Sequence, residues 1–261
     1  MIQYTDDAEY EEFIKQLHVK KGFDLSQYKE NQMNRRLRNF YDRYAFKNYK
    51  SFLVGLMEDD ILYEEFLNKV TINVTNFFRN PNRWEYVEKE ILPRFANQPN
   101  IKCWSAACSS GEEPYTLAML GKKTGVLSRM DILATDLDKR ILERAKSGEY
   151  ELSEIGDIPY VHQEENFVME KEIMKINPRL KEKVRFKYHN LLMDNFECEF
   201  DLIICRNVMI YFTEEAKEQL YRKFNQALKP GGIFFTGSTE QIFNPERYGF
   251  ESLEASFYRK K

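Results

Sequence analysis

Ile101-Lys102-Cys103-Trp104-Ser105-Ala106-Ala107-Cys108-Ser109-Ser110-Gly111-Glu112-Glu113-Pro114-Tyr115 is the stretch that decides the fold. Its first six residues read as a short strand, and Gly111 separates them from a helix expected from about Pro114 to Lys123. Outward from there the rhythm repeats. Residues 130–135 read as a strand and 139–147 as a helix; 184–188, 200–205 and 232–236 read as further strands, with a helix over 214–228 before the last. Residues 250–253 and 255–259 close the chain as a hairpin. Alternating β and α units imply an α/β domain with a mostly parallel sheet covered by helices, and the hairpin adds an antiparallel edge.

The chain ahead of residue 80 is different. It lacks proline, and Tyr10, Phe13, Ile14 and Leu17 follow the i, i+3, i+4, i+7 spacing of a helix, as do Met33, Leu37, Phe40, Tyr41 and Tyr44. The expected organisation is an all-helical domain over 1–75, a linker and bridging helix over 76–99, and the α/β domain over 100–261. In the bridging helix Trp84, Val87, Ile91 and Leu92 are apolar, and Pro93 and Pro99 bracket its end. Residues 150–183 break the alternation and are too long for an ordinary loop. Asp157-Ile158-Pro159 and Asn177-Pro178 flank weak alternation at Phe167, Val168, Ile173 and Ile176, the pattern of a small inserted β subdomain.

Composition narrows the function. The 261 residues carry 39 Lys+Arg against 42 Asp+Glu, a net charge of −3, which argues against wholesale coating of nucleic acid. Mean hydropathy is −0.62, and no stretch approaches the roughly 20 apolar residues of a membrane span. Met1-Ile2-Gln3-Tyr4-Thr5-Asp6-Asp7 has neither the basic start nor the apolar run of a signal peptide. Cysteines 103, 108, 198 and 205 form no Cys-x-x-Cys pair and suit reduced cytoplasmic thiols. His18, His162 and His189 have no metal-ligand spacing, so no metal is expected.

In an open parallel sheet a ligand binds beyond the carboxyl ends of the strands, where strand order reverses. The first strand runs into small residues and Gly111, followed by a helix start. The second ends at Asp136, 25 residues past Gly111, near the spacing at which an acid takes ribose hydroxyls. Capping of the next helix is the alternative reading of Asp136. There are too few glycines for the dinucleotide fingerprint, and Glu112 and Glu113 would repel a phosphate. Either could accept bonds from a ligand ammonium, unless both are ordinary first-turn helix acids. A nucleoside carrying an amino acid therefore fits better than a nucleotide. The fourth strand ends in Cys205-Arg206-Asn207-Val208-Met209-Ile210-Tyr211-Phe212, polar groups followed by an aromatic, which suits a reacting substrate.

At these residues the sequence resembles the CheR-type chemotaxis receptor methyltransferases, which are protein-glutamate O-methyltransferases. The resemblance rests on residues 104–115, on 205–212, and on Asn73-Val74-Thr75-Asn76-Phe77-Phe78-Arg79, which matches the family's Asn-x-Thr-x-Phe-Phe-Arg motif. Lys229-Pro230-Gly231-Gly232 adds a weaker element shared by many S-adenosylmethionine enzymes. The resemblance covers nearly the whole chain. It implies a Rossmann-like S-adenosylmethionine methyltransferase sheet, with transfer of a methyl group to receptor glutamates, giving methyl esters and S-adenosylhomocysteine for adaptation in bacterial chemotaxis. Asn73, Thr75 and Arg79 would contact the cofactor or reaction centre. Glu113 would lie in the cofactor loop, Asp136 would hold the ribose, and Asn190 and Leu191 would lie along the adenine. Asn207 and Val208 would close the pocket, with Tyr211 near the transferred methyl; Arg79 and Tyr211 are the candidate catalytic pair.

The chemistry agrees with that set. A glutamate nucleophile is already ionised at pH 7, so no general base is required. The methyl sits on a sulfonium, charge is consumed in the transition state, and in-line placement is the main lever, worth up to about 7–11 kcal/mol. Residues 29–50 hold seven basic residues against Glu30 and Asp42 and are locally +5. Arg35, Arg36, Arg38 and Arg43 on this basic helix are the expected docking surface for the cytoplasmic helical region of chemoreceptors. Some family members use the inserted subdomain to bind a receptor-tail peptide and carry glycines there. Residues 167–173 have none, so no such tether is expected. A monomer, without direct membrane insertion, is the expected state. Two other readings stand beside this one: a methyltransferase acting on RNA or a small molecule, and a non-catalytic module that senses the cofactor.

Overall fold

The computed structural model describes residues 7–71, 73–155, 158 and 160–261; residues 1–6, Asp157 and Pro159, read above, lie outside the described residues. Four helices open the chain: α1 (Asp7–Lys21), α2 (Glu30–Arg43), α3 (Tyr49–Glu58) and α4 (Asp60–Val70). Short polar side chains fix their starts. Asn48 and Ser51 form a reciprocal capping box at α3, and the Asp59 carboxylate accepts from the amides of Ile61 and Leu62 at α4. Phe13, Leu17, Phe40, Phe52, Leu56 and Phe66 form the buried centre of this bundle, each contributing about 1.5–3 kcal/mol by burial.

The bridging helix is present but irregular. It starts as α5 (Pro81–Tyr86), widens to π-helical bonding over Val87–Ile91 and tightens to a 3₁₀ turn at Leu92–Phe95. Pro93 has no amide to bond the carbonyl of Lys89, so the α-helical ladder cannot continue there. Trp84, Val87, Ile91 and Leu92 are buried, as their spacing requires.

The α/β portion follows as β1 (Ile101–Ala106), α6 (Glu112–Lys123), β2 (Met130–Asp136), α7 (Lys139–Ser147), β3 (Glu149–Glu151), α8 (Tyr160–Asn166), β4 (Phe167–Glu170), β5 (Ile173–Ile176), α9 (Pro178–Lys181), β6 (Val184–Tyr188), β7 (Phe200–Cys205), α10 (Glu214–Ala227), β8 (Leu228–Thr236), β9 (Phe250–Glu254) and β10 (Phe257–Lys260). Helix α6 starts two residues earlier than expected, because Gly111 at φ +96° makes the break and Glu112 and Glu113 form the first turn. Strand β8 starts at Leu228 rather than Gly232. Phe200 pairs with Leu228 and Leu202 with Ile233, so residues 229–232 bulge opposite a single residue of β7.

The main sheet has the order β6-β2-β1-β7-β8-β10-β9; β6, β2, β1, β7 and β8 run parallel, and the β9–β10 hairpin supplies the antiparallel edge. The inserted segment forms a separate antiparallel sheet, β3-β5-β4. Strand order reverses between β1 and β7, whose tips pair Ala106 with Cys205. A ligand crevice belongs beyond those tips.

Candidate active site

A crevice occupies that place. Its empty space, counted out to the solvent at its mouth, is about 980 Å³. The tip of β1 contributes Ala107, Cys108 and Ser109, β2 contributes Asp136 and Leu137, β6 contributes His189, Asn190 and Leu191, and β7 contributes Arg206, Asn207, Val208 and Tyr211. Glu113 reaches in from the first turn of α6, and Asn73, Thr75 and Arg79 cross from the segment after α4. Every residue of the expected cofactor and catalytic set lines this one space, although those residues span positions 73 to 211.

Asp136 sits at the centre of the rim. Its carboxylate accepts from the amide of Ser109 (2.8 Å), which locks the β1 and β2 tips together, and from that of Asp138 (3.0 Å), which shapes the turn after β2. The helix-capping role belongs to Asp138, which accepts from Arg140 and Ile141. Burial pushes the Asp136 carboxyl up to about 6, against the pull of those amides. A carboxylate has about four lone-pair positions, so acceptor capacity remains for ligand hydroxyls.

Glu113 is 8% exposed and already partnered. It accepts from the Ser105 hydroxyl (2.8 Å) and faces the Arg206 guanidinium (3.4 Å). Burial pushes its carboxyl up, and Arg206 opposes that shift. Glu112 does not reach the crevice; Ser110 donates to both its oxygens, and burial pushes it up to about 7. Of the two candidates for a ligand ammonium, only Glu113 is placed to serve. Arg206, quoted in the sequence without a role, ties the site together: it donates to Glu113, to the carbonyl of Arg79 (2.8 Å) and to Oδ1 of Asn80 (2.7 Å). The linker bearing Arg79 is thereby pinned to the β7 tip, and the Arg79 guanidinium donates to the carbonyl of Val74 (2.8 Å).

The helical portion roofs the crevice. Lys29 donates its amide to the carbonyl of Tyr211 (2.8 Å), Thr213 donates to Gln27 (2.9 Å), and the Tyr28 ring meets Phe212 edge-on at 5.1 Å. Asn190 spends its side-chain amide on the carbonyl of Gly22 (3.2 Å) and its oxygen on the amide of Leu192, so its part in the crevice is to fasten the roof. Asn73 donates to Asp138 (2.9 Å) in the same way.

The docking set needs one correction. Arg35, Arg38 and Arg43 are exposed on α2, but Arg36 turns inward, bonds the carbonyl of Val70 and stacks on the Tyr211 ring at 4.7 Å. Arg36 backs Tyr211, which lines the crevice. Tyr28, His189 and Arg206 are the lining residues that sequence reasoning missed. Arg206 carried a signal, since it is a polar residue just past a strand tip; Tyr28 carried none, because its place depends on a long-range pairing.

The donor set fits a nucleoside bearing an amino acid. Asp136 has capacity for ribose hydroxyls, Glu113 for an ammonium and Arg79 for a carboxylate, while Leu191 and Val208 offer apolar faces to a base. Ser109 Oγ and His189 Nε2 are buried polar atoms in this wall with no protein partner.

The family described as CheR methyltransferase, SAM binding domain, matches residues 73–258, and the CheR all-alpha domain matches residues 8–71. A chemotaxis protein methyltransferase of Listeria monocytogenes is 44% identical over 241 residues, covering 92% of this chain and 92% of that protein. Proteins of the same description from Borreliella burgdorferi and Salmonella typhimurium are 34% and 30% identical, covering 92% and 91% of this chain and 90% and 85% of their own lengths. Fold, crevice and these matches make the chain an S-adenosylmethionine-dependent methyltransferase. It belongs to the CheR family of chemotaxis methyltransferases. Among the described residues no helix is long and apolar enough to cross a membrane.

A pH dependence follows from Asp136. Were Asp136 to hold the ribose, its ionised carboxylate would accept from both hydroxyls, and burial pushes that carboxyl up to about 6. Affinity for S-adenosylhomocysteine, measured by calorimetry, should therefore be about tenfold weaker at pH 5 than at pH 7, a fall of about one decade per pH unit below the midpoint. A flat affinity across that window would contradict the assignment.

Proposed function

We propose that this crevice methylates glutamate side-chain carboxylates on the cytoplasmic helical region of chemoreceptors, forming methyl esters. The carrying observation is the arginine content of the crevice wall. Arg79 and Arg206 line the crevice, and Arg36 stacks on the tyrosine ring. Such a wall favours an incoming carboxylate and keeps it ionised as the nucleophile.

When bound, S-adenosylmethionine supplies an electrophilic methyl on a sulfonium. The protein's residues supply placement. Asp136 fixes the ribose hydroxyls and Glu113 the ammonium. Arg79 orients a carboxylate, of the cofactor or of the substrate, and its own linker is held by Arg206. Tyr211, clamped by Lys29 behind and Arg36 on its face, forms the wall beside the reacting groups and limits the approach to one line. Asn207 and Val208 close the pocket on the β7 side.

The receptor helix would lie on α2, whose exposed Arg35, Arg38 and Arg43 match a surface of glutamates. Reversing the charge of Arg35 and Arg38 together should raise the Michaelis constant for receptor by about tenfold and leave S-adenosylhomocysteine affinity unchanged. Receptor kinetics that do not move would remove the docking assignment. The proposal as a whole is tested with tritiated S-adenosylmethionine and receptor-bearing membranes. Methyl ester gives base-labile, volatile counts; base-stable label, or label in RNA or a small molecule, would refute it.

A further inference from the structure

We propose that Glu240 is a positioning residue for the reaction, acting through the backbone of the segment that carries Arg206, Asn207 and Tyr211. Glu240 lies in the loop after β8 and is 5% exposed. Three backbone amides converge on it: Asn207 (2.6 Å) and Gly237 (2.8 Å) on Oε2, and Ile210 (3.1 Å) on Oε1. Two of them belong to the turn that follows β7. Asn207 sits there at φ +60°, a left-handed conformation that asparagine tolerates better than other non-glycine residues but still at a cost. A charged acceptor on the amides of Asn207 and Ile210 offsets that cost.

The consequence reaches both halves of the site. Asn207 lines the crevice directly. Tyr211 directly follows the anchored Ile210, and its carbonyl is taken by the Lys29 amide. The segment is thus fixed by Glu240 on one side and by the helical roof on the other. Glutamate suits the position because a carboxylate is acceptor-only. An amide of the same shape must turn its NH2 toward at least one backbone N–H, and the turn must then relax.

The inference deepens the methyl-transfer reading and rests on it, so the test reads cofactor affinity separately from receptor chemistry. Two variants perturb the clamp independently. Glu240→Gln removes one acceptor oxygen at constant shape. Gly237→Ala deletes nothing, but its new Cβ would lie 2.1 Å from Glu240 Oε2 and 3.0 Å from the Asn207 amide, forcing the carboxylate aside. In both, calorimetry with S-adenosylhomocysteine should show affinity weaker by about fivefold or more at a stoichiometry near one, and kcat on receptor should fall about tenfold or more with KM within about threefold. A residue that only supported folding would lower the melting point or the stoichiometry and leave affinity and kcat per folded molecule at wild-type values. That result in either folded variant overturns the proposal. If wild-type protein binds S-adenosylhomocysteine but does not methylate receptors, the receptor reading fails while the affinity arm still decides the role of Glu240.

Discussion

Asp136→Asn is expected to weaken S-adenosylhomocysteine binding by about a hundredfold or more while leaving the fold in place. Hydrogen bonds to a charged acceptor contribute about 1.5–3 kcal/mol each, so two ribose hydroxyls deprived of it lose about 3 kcal/mol or more. Asparagine keeps one acceptor oxygen, and that oxygen cannot serve Ser109, Asp138 and the ribose together. The amide nitrogen must face either a backbone N–H or a ribose hydroxyl already oriented as a donor. Stability should respond in the opposite sense. The Asp136 carboxyl titrates near 6 in the folded protein against 3.8 when unperturbed. A group whose folded pKa is raised makes the folded state bind the extra proton, so stability falls as pH rises from about 4 to about 6, and the cost is fully present at pH 7. A neutral side chain removes that cost, which offsets the strained amide contact. The melting temperature at pH 7 should therefore stay within about 4 °C of wild type. Loss of binding together with a collapse of the melting temperature would mean that Asp136 is structural; native affinity would mean that the ribose lies elsewhere.

Arg206→Met carries the second large effect. Its guanidinium is buried beside Glu113, and it also bonds the Arg79 carbonyl and Asn80. Methionine fills part of the volume between Trp84 and Phe235, whose rings flank the guanidinium at 5.5 and 4.8 Å. It cannot neutralise Glu113 or hold the linker. Removing one partner of a buried pair costs about 3–5 kcal/mol, since the remaining charge is left without compensation. For a chain of this size that is a fall of about 10 °C in the melting temperature. The double variant Arg206→Met with Glu113→Gln should recover much of that stability, because no orphan charge remains, yet recover little activity, because the linker bearing Arg79 stays untethered and the carboxylate that faces the ligand ammonium is gone as well. Thermal melts and single-turnover methylation measure the two arms. Equal recovery of both would place Arg206 outside the reaction geometry.

The first two strands of the sheet were legible because their ends are marked locally, by Gly111 after β1 and by Asp136 on β2, whereas the bulge at Lys229-Pro230-Gly231-Gly232 hid the true start of β8 at Leu228. Asp136 and Glu113 were legible because chemistry at a strand tip is restricted to what a ligand needs. The partner of Glu113 was not, since Arg206 lies 93 positions away and no local pattern says which distant side chain closes a pair. Arg36 shows the limit of reading charge alone. At 100° per residue it stands about 60° from the apolar stripe of Met33, Leu37 and Phe40, whereas Arg35 and Arg38 stand on the far side of α2. A flanking arginine keeps its stem on the core and sends its head sideways, here to Val70 and Tyr211. The roof contacts of Tyr28 and Gly22 depend on how the helical bundle packs over the sheet, which no stretch of sequence encodes by itself.

A crystal structure with S-adenosylhomocysteine tests the central claim most directly. The ribose hydroxyls should lie on Asp136, the ammonium should face Glu113, and the sulfur should point toward Tyr211 and Arg79. A nucleoside bound elsewhere, with Asp136 uncontacted and the β1–β7 crevice empty, would contradict it.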